Sequence, residues 1–163
     1  MGGFFVKRMV CWVLLVCLMT GCTAAPVMET VADEMVMAEN SPRRVLVTLP
    51  EDTVLPVMET DTGKLYICQD FEVSVQTLPG GDLNATVQTL CGFSADQVEL
   101  LETAAGRYEF IWSSAGELGD QVGRAVILRD GNYHYCVAAM APADRAQDCR
   151  SAWDTLFASV ALS

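Results

Sequence analysis

Histidine is nearly absent from this chain: His134 is the one imidazole in 163 residues. Any acid–base or metal chemistry that needs an imidazole must therefore use that side chain. Basic residues are also scarce, ten against 21 acidic ones, giving a net charge of -11. Nucleic acid and anionic lipid surfaces are recognised through clustered cations, so both are poor partners for this composition. No Cys-x-x-Cys pair and no Gly-x-Ser-x-Gly elbow occurs, which argues against a dithiol redox motif and a serine-hydrolase nucleophile. Gly116, Gly119 and Gly123 precede a strand-like run, whereas a phosphate cradle opens a helix. The apolar run after the first charges extends only from Met9 to Thr20, short of the roughly 20 residues that span a bilayer.

What the chain does have begins with Lys7 and Arg8, that apolar run, and then Gly21-Cys22 before polar sequence. This order reads as the charged and apolar regions of an export signal, with cleavage favoured over spanning. Leu18-Met19-Thr20-Gly21-Cys22 resembles the bacterial lipobox, with Met19 where leucine is usual and a small residue before the cysteine. The resemblance implies diacylglyceryl on the Cys22 thiol and anchorage at the extracytoplasmic face of a cell membrane. Two acyl chains hold a protein stably where one does so only marginally. N-myristoylation is a poorer match, because Val6 stands where Ser or Thr is expected. The expected organisation is a signal peptide over 1–21, an acylated cysteine and flexible tether over 22–43, and a globular domain over 44–163.

Loss of Lys7 and Arg8 with the signal takes the net charge from -11 to -13, which promotes solubility and repulsion from negative surfaces. Of the seven cysteines, Cys68, Cys91, Cys136 and Cys149 remain as thiols or disulfide partners, with three pairings open. Export permits bridges, and buried apolar thiols serve equally well in a core. Pro-Val-Met-Glu-Thr occurs at Pro26 and Pro56, but five matching residues with divergent flanks do not make a repeat.

From Val45 the pattern becomes short apolar strands: Val45–Leu49, Val54–Met58, Lys64–Cys68 and Phe71–Leu78, with a turn at Asp61-Thr62-Gly63. Asp82 is placed to cap a helix carrying Leu83, Val87, Leu90 and Cys91 on one face, and Gly92 to end it. Ser94 and Gln97 have capping-box spacing. Strands are expected over Val98–Thr103 and Tyr108–Ser113, with Tyr108, Phe110 and Trp112 on one face. Asp130-Gly131 predicts a tight hairpin in which Ala125 faces Cys136 and Ile127 faces His134. Gly123, Ala125, Cys136 and Ala138 would then form a face of small residues. Pro142 is expected to open a closing helix whose stripe of Cys149, Trp153, Leu156, Phe157 and Val160 packs over that face.

This order of strands, helix, strands and helix resembles the PsbP family and its Ran-binding relatives, on the hairpin at Asp130-Gly131, Ala141-Pro142 and the tail Leu156-Phe157-Ala158-Ser159-Val160-Ala161-Leu162. The resemblance implies an α+β domain, an antiparallel β-sheet covered by helices, serving in binding or accessory work rather than catalysis. Tyr108, Trp112, Tyr133 and His134 are the candidate ligand surface, set against the alternative that alternating strand aromatics are core. A metal site from His134, Cys136, Asp148 and Cys149 follows no known ligand spacing, and Cys136 and Cys149 read instead as neighbouring buried thiols or a disulfide. No catalytic residue, metal or cofactor is assigned. The leading expectation is a noncatalytic binding or accessory domain with an envelope protein or small ligand as partner. The competing one is an envelope enzyme or metal-dependent protein centred on His134.

Overall fold

The computed structural model describes residues 41–51, 53, 55–115 and 119–163, and the unit Pro42–Ser163 is the subject below. The expected signal, Cys22 and nearly all of the tether lie outside the described residues. Nine strands and two helices follow in the order β1 (Val45–Leu46), β2 (Met58–Thr60), β3 (Gly63–Ile67), β4 (Glu72–Pro79), α1 (Leu83–Cys91), β5 (Leu101–Ala104), β6 (Arg107–Ser114), β7 (Gln121–Arg129), β8 (Tyr133–Pro142), α2 (Ala146–Ala158) and β9 (Ala161–Leu162). Seven strands form one sheet in the order β2-β3-β4-β8-β7-β6-β5, and β1 pairs with β9 apart from it. Every pairing is antiparallel. The expected α+β class, an antiparallel sheet covered by helices, is what the chain adopts.

Local chemistry accounts for the first helix. The Asp82 carboxylate accepts from Asn84 N at 3.0 Å, and Gly92 closes the last turn in the left-handed conformation, where a side chain would be strained. Gln97 Oε1 accepts from Ser94 N and Oγ at 2.9 and 2.8 Å, but these bonds close a turn and no helix follows.

The hairpin register departs from expectation by two residues. Arg129 pairs with His134, Ile127 with Cys136 and Ala125 with Ala138, so Gly131-Asn132 makes the turn, with Gly131 at φ 96°. Asp130 stands just before the turn, its N–H donating to the Tyr133 carbonyl at 3.3 Å. Its carboxylate accepts from Asn132 N, Tyr133 N and the Tyr135 hydroxyl at 3.1, 2.9 and 2.5 Å. A shift of two preserves the faces, so the small-residue face survives.

What covers that face is the other correction. The stripe of α2, with Cys149, Trp153, Leu156 and Phe157, packs on Val73, Val126, Val137 and Ala139. Ala125, Cys136 and Ala138 lie on the opposite side, beneath Val87 of α1 and the rings of Phe110 and Trp112. The reason is steric. A Cβ on Gly123 would stand 2.2 Å from the Trp112 ring, so the β6 aromatics already occupy the space the small residues leave. Pro142 ends β8 rather than opening α2, which begins at Ala146.

Candidate functional site

On the α2 side of the sheet, the β2–β4 half is roofed only at its margin by β1, and a groove of about 580 Å³ runs between them. Strand alternation places Lys64, Tyr66, Val75 and Thr77 on this face. Val45 and Val47 form the wall opposite, and these apolar groups are continuous with the α2-side core. The β2–β3 turn supplies Thr60, Asp61 and Thr62.

The backbone around the groove is pinned. Arg43 N donates to the Tyr135 hydroxyl at 2.9 Å, and the Arg43 guanidinium donates to the backbone oxygens of Ser163 and Leu162 at 3.1 and 3.3 Å. Ser163 N donates to the Arg44 carbonyl at 3.0 Å. Lys64 pairs with Glu59 at 2.7 Å, and hydrogen bonding and charge from that carboxylate raise the ammonium pKa. Nothing in the sequence pattern singled these residues out, because they come together only when β1 folds back across the sheet.

His134 lies elsewhere. It is 1% exposed, on the α1 face, with Nδ1 and the Thr86 hydroxyl sharing a 2.6 Å hydrogen bond. Burial, then the charge of Arg129, lowers its pKa against the opposing pull of Asp130 and Asp82, so the ring is held neutral. Of the other three residues expected to offer a ligand surface, Trp112 is buried with Phe110 at 5.5 Å between ring centroids. Tyr108 is half-buried beneath Arg129, and Tyr133 lies 6.1 Å from Tyr135. Tyr108, Trp112 and His134 lie on the α1 side, whereas Tyr133 shares the α2 side with Tyr135, and none of the four lines the groove.

The cysteines divide between the two cores. Cys68 and Cys149 belong to the α2 side, while Cys136 and Cys91 belong to the α1 side. Cys136 and Cys149, expected as neighbours, are therefore separated by the sheet, because Tyr135 and Val137 take the α2 face and the strand period turns Cys136 away. Cys91, Cys136 and Cys149 carry free thiols. Burial pushes Cys136 up to about 12. Burial, then Asp70 and Asp148, raises Cys149. The same separation places His134 and Cys136 on one side and Asp148 and Cys149 on the other, so this set does not converge on a metal. Among the described residues no cluster of three or more His, Cys, Asp or Glu side chains is placed to hold one.

A charged network secures α2. Arg107 donates to the carbonyls of Phe157 and Val160 at 2.8 and 3.2 Å, satisfying the helix C-terminus. Glu109 bridges Arg107 and Arg124 at 3.0 and 3.1 Å. Burial pushes the Glu109 pKa up, but the two arginines outweigh it and hold the carboxyl low.

No family model matches the chain, and no curated protein matches it. Among solved structures the chain is similar to the Ran-binding protein Mog1p of Saccharomyces cerevisiae, at 12% identity and TM-score 0.54, over 72% of this chain and 89% of that one. Weaker likenesses are LpqN of Mycobacterium tuberculosis, involved in cell envelope biogenesis (13% identity, TM-score 0.45, 76% and 86% covered), and cyanobacterial PsbP of Synechocystis sp. PCC 6803 (13%, 0.39, 76% and 84%). At these identities the likeness to Mog1p speaks for the fold alone.

Proposed function

We propose that this protein is a noncatalytic binding or accessory domain, held by lipid on Cys22 at the extracytoplasmic face of a cell membrane. The observation that carries the binding reading is the groove between β1 and β2–β4, an open concavity of charged and hydroxyl groups over an apolar floor. Such a composition offers orientation and contact to a ligand. Mog1p, of the same fold, is Ran-binding, so the architecture accommodates binding work.

The reading centred on His134 loses its footing in the burial of that ring and its hydrogen bond to Thr86. A general base must reach the proton it abstracts. The anchor rests on the lipobox resemblance around Cys22. Metabolic labelling with a fatty-acid analogue tests it: label is expected on the wild type and absent from Cys22→Ser, and equal label on both would refute acylation there. Pull-down of the lipidated chain from its own cells, compared with a variant carrying Arg44→Gln and Lys64→Gln, tests the binding reading. Specific partners lost in the double variant support the groove as the site.

A further inference from the structure

Beyond Arg8 the chain has only eight basic residues, and three of them, Arg43, Arg44 and Lys64, line the one groove. Two are already engaged, Arg43 on backbone oxygens and Lys64 on Glu59. Arg44 is exposed, its backbone fixed by Ser163, and its guanidinium has no carboxylate within ion-pair distance among the described residues. A guanidinium fork matches the oxygens of carboxylates and phosphates.

We infer that the groove binds a singly charged organic oxyanion, a carboxylate or phosphodiester, whose apolar body rests on Val45, Val47, Tyr66 and Val75. The lining carries Arg43, Arg44 and Lys64 against Glu59 and Asp61. Arg43 is engaged by the backbone oxygens of Ser163 and Leu162 and Lys64 by Glu59, so Arg44 is the cation left to meet a ligand in a strongly acidic protein. A dianion would exceed what Arg44 alone can neutralise and would face Asp61 and Glu59 across the groove. Thr62 and Thr77 also line the groove and bring hydroxyl groups to it. The groove's volume of about 580 Å³ falls within the roughly 300–1,000 Å³ typical of small-molecule sites. The inference rests on the binding reading but not on the anchor, since loss of acylation would leave the groove intact.

The test is titration of the isotope-labelled full chain in nonionic detergent with benzoate, with dibutyl phosphate and with inorganic phosphate, read by amide chemical shifts. Benzoate and dibutyl phosphate are expected to move the amides of Val45, Val47, Lys64 and Tyr66, with inorganic phosphate weaker. Arg44→Gln should weaken both monoanions by about tenfold or more, while Arg150→Gln on α2 should not. Vesicles then separate the sources. Binding to phosphatidylglycerol over phosphatidylcholine that is lost in Arg44→Gln identifies a lipid headgroup, and soluble-probe binding without it identifies a free ligand. Unmoved groove amides with both monoanions, equal affinity in Arg44→Gln, or tighter binding of inorganic phosphate would overturn the inference.

Discussion

On the α2 face the helix supplies the bulk, with Trp153, Leu156 and Phe157 laid on the valines and alanines of β4, β7 and β8. On the α1 face much of the bulk comes from the sheet itself, as Phe110 and Trp112 of β6 lean over Gly123, Ala125 and Ala138, with α1 adding Val87. The polar content differs too. One face carries the Arg107–Glu109–Arg124 network at its half-buried edge, and the other encloses a neutral His134. A seven-stranded sheet thus carries two cores with different weaknesses: the first fails by losing volume, the second by gaining it.

The largest test removes volume. Trp153→Ala should cost about 3–5 kcal/mol, read as a drop in the denaturation midpoint. Trp153→Phe should cost far less, because the indole Nε1 has no hydrogen-bond partner among the described residues and its loss breaks no bond there. Adding volume should act on the other face. Gly123→Ala, whose Cβ would meet the Trp112 ring at 2.2 Å, should cost about 1–3 kcal/mol, and pairing it with Trp112→Leu should recover part of the loss. Equal cost in single and double variants would show that Trp112 is not the obstruction.

Acid should separate the faces next. His134 is held below its ordinary value of 6.5, so the unfolded chain takes up its proton first and stability falls as pH drops through about 6.5. Glu109 is held below 4.5, so its contribution is present above the unfolded value of about 4.3 and is lost as pH falls further. Stability measured against pH should therefore decline in two stages. His134→Gln should abolish the upper stage and Glu109→Gln should reduce the lower one. The smallest effect is kinetic: in the native state an alkylating reagent should modify half-exposed Cys91 well before buried Cys136, whose high pKa leaves almost no thiolate. Equal rates would place Cys136 nearer solvent than its burial indicates.

Both helices, the order of elements up to α2 and the inward faces of β6, β7 and β8 were legible in the sequence, because capping chemistry and periods of 3.6 and two act over a few residues; the start of α2 and the closing strand β9 were not. Asp82, Gly92 and the α2 stripe illustrate this. Other features were not legible. The turn moved from Asp130-Gly131 to Gly131-Asn132 because Tyr135, on the neighbouring strand, claims the Asp130 carboxylate. Small residues at Ala125 and Ala138 indicate that something large lies over them, but not which element supplies it.

What the sequence determined by itself is therefore local: which residues face inward and where α1 is capped and closed, while the export signal that residues 1–22 resemble remains a proposal. Only the tertiary structure decided which helix covers which face, and with it the separation of Cys136 from Cys149 and the enclosure of His134. It also decided the groove. Arg43 and Arg44 meet Lys64 and Tyr66 because β1 pairs with β9, more than a hundred residues away in the chain. A contact between segments so distant leaves no periodic trace in either one, since each satisfies its own local pattern whatever lies across from it.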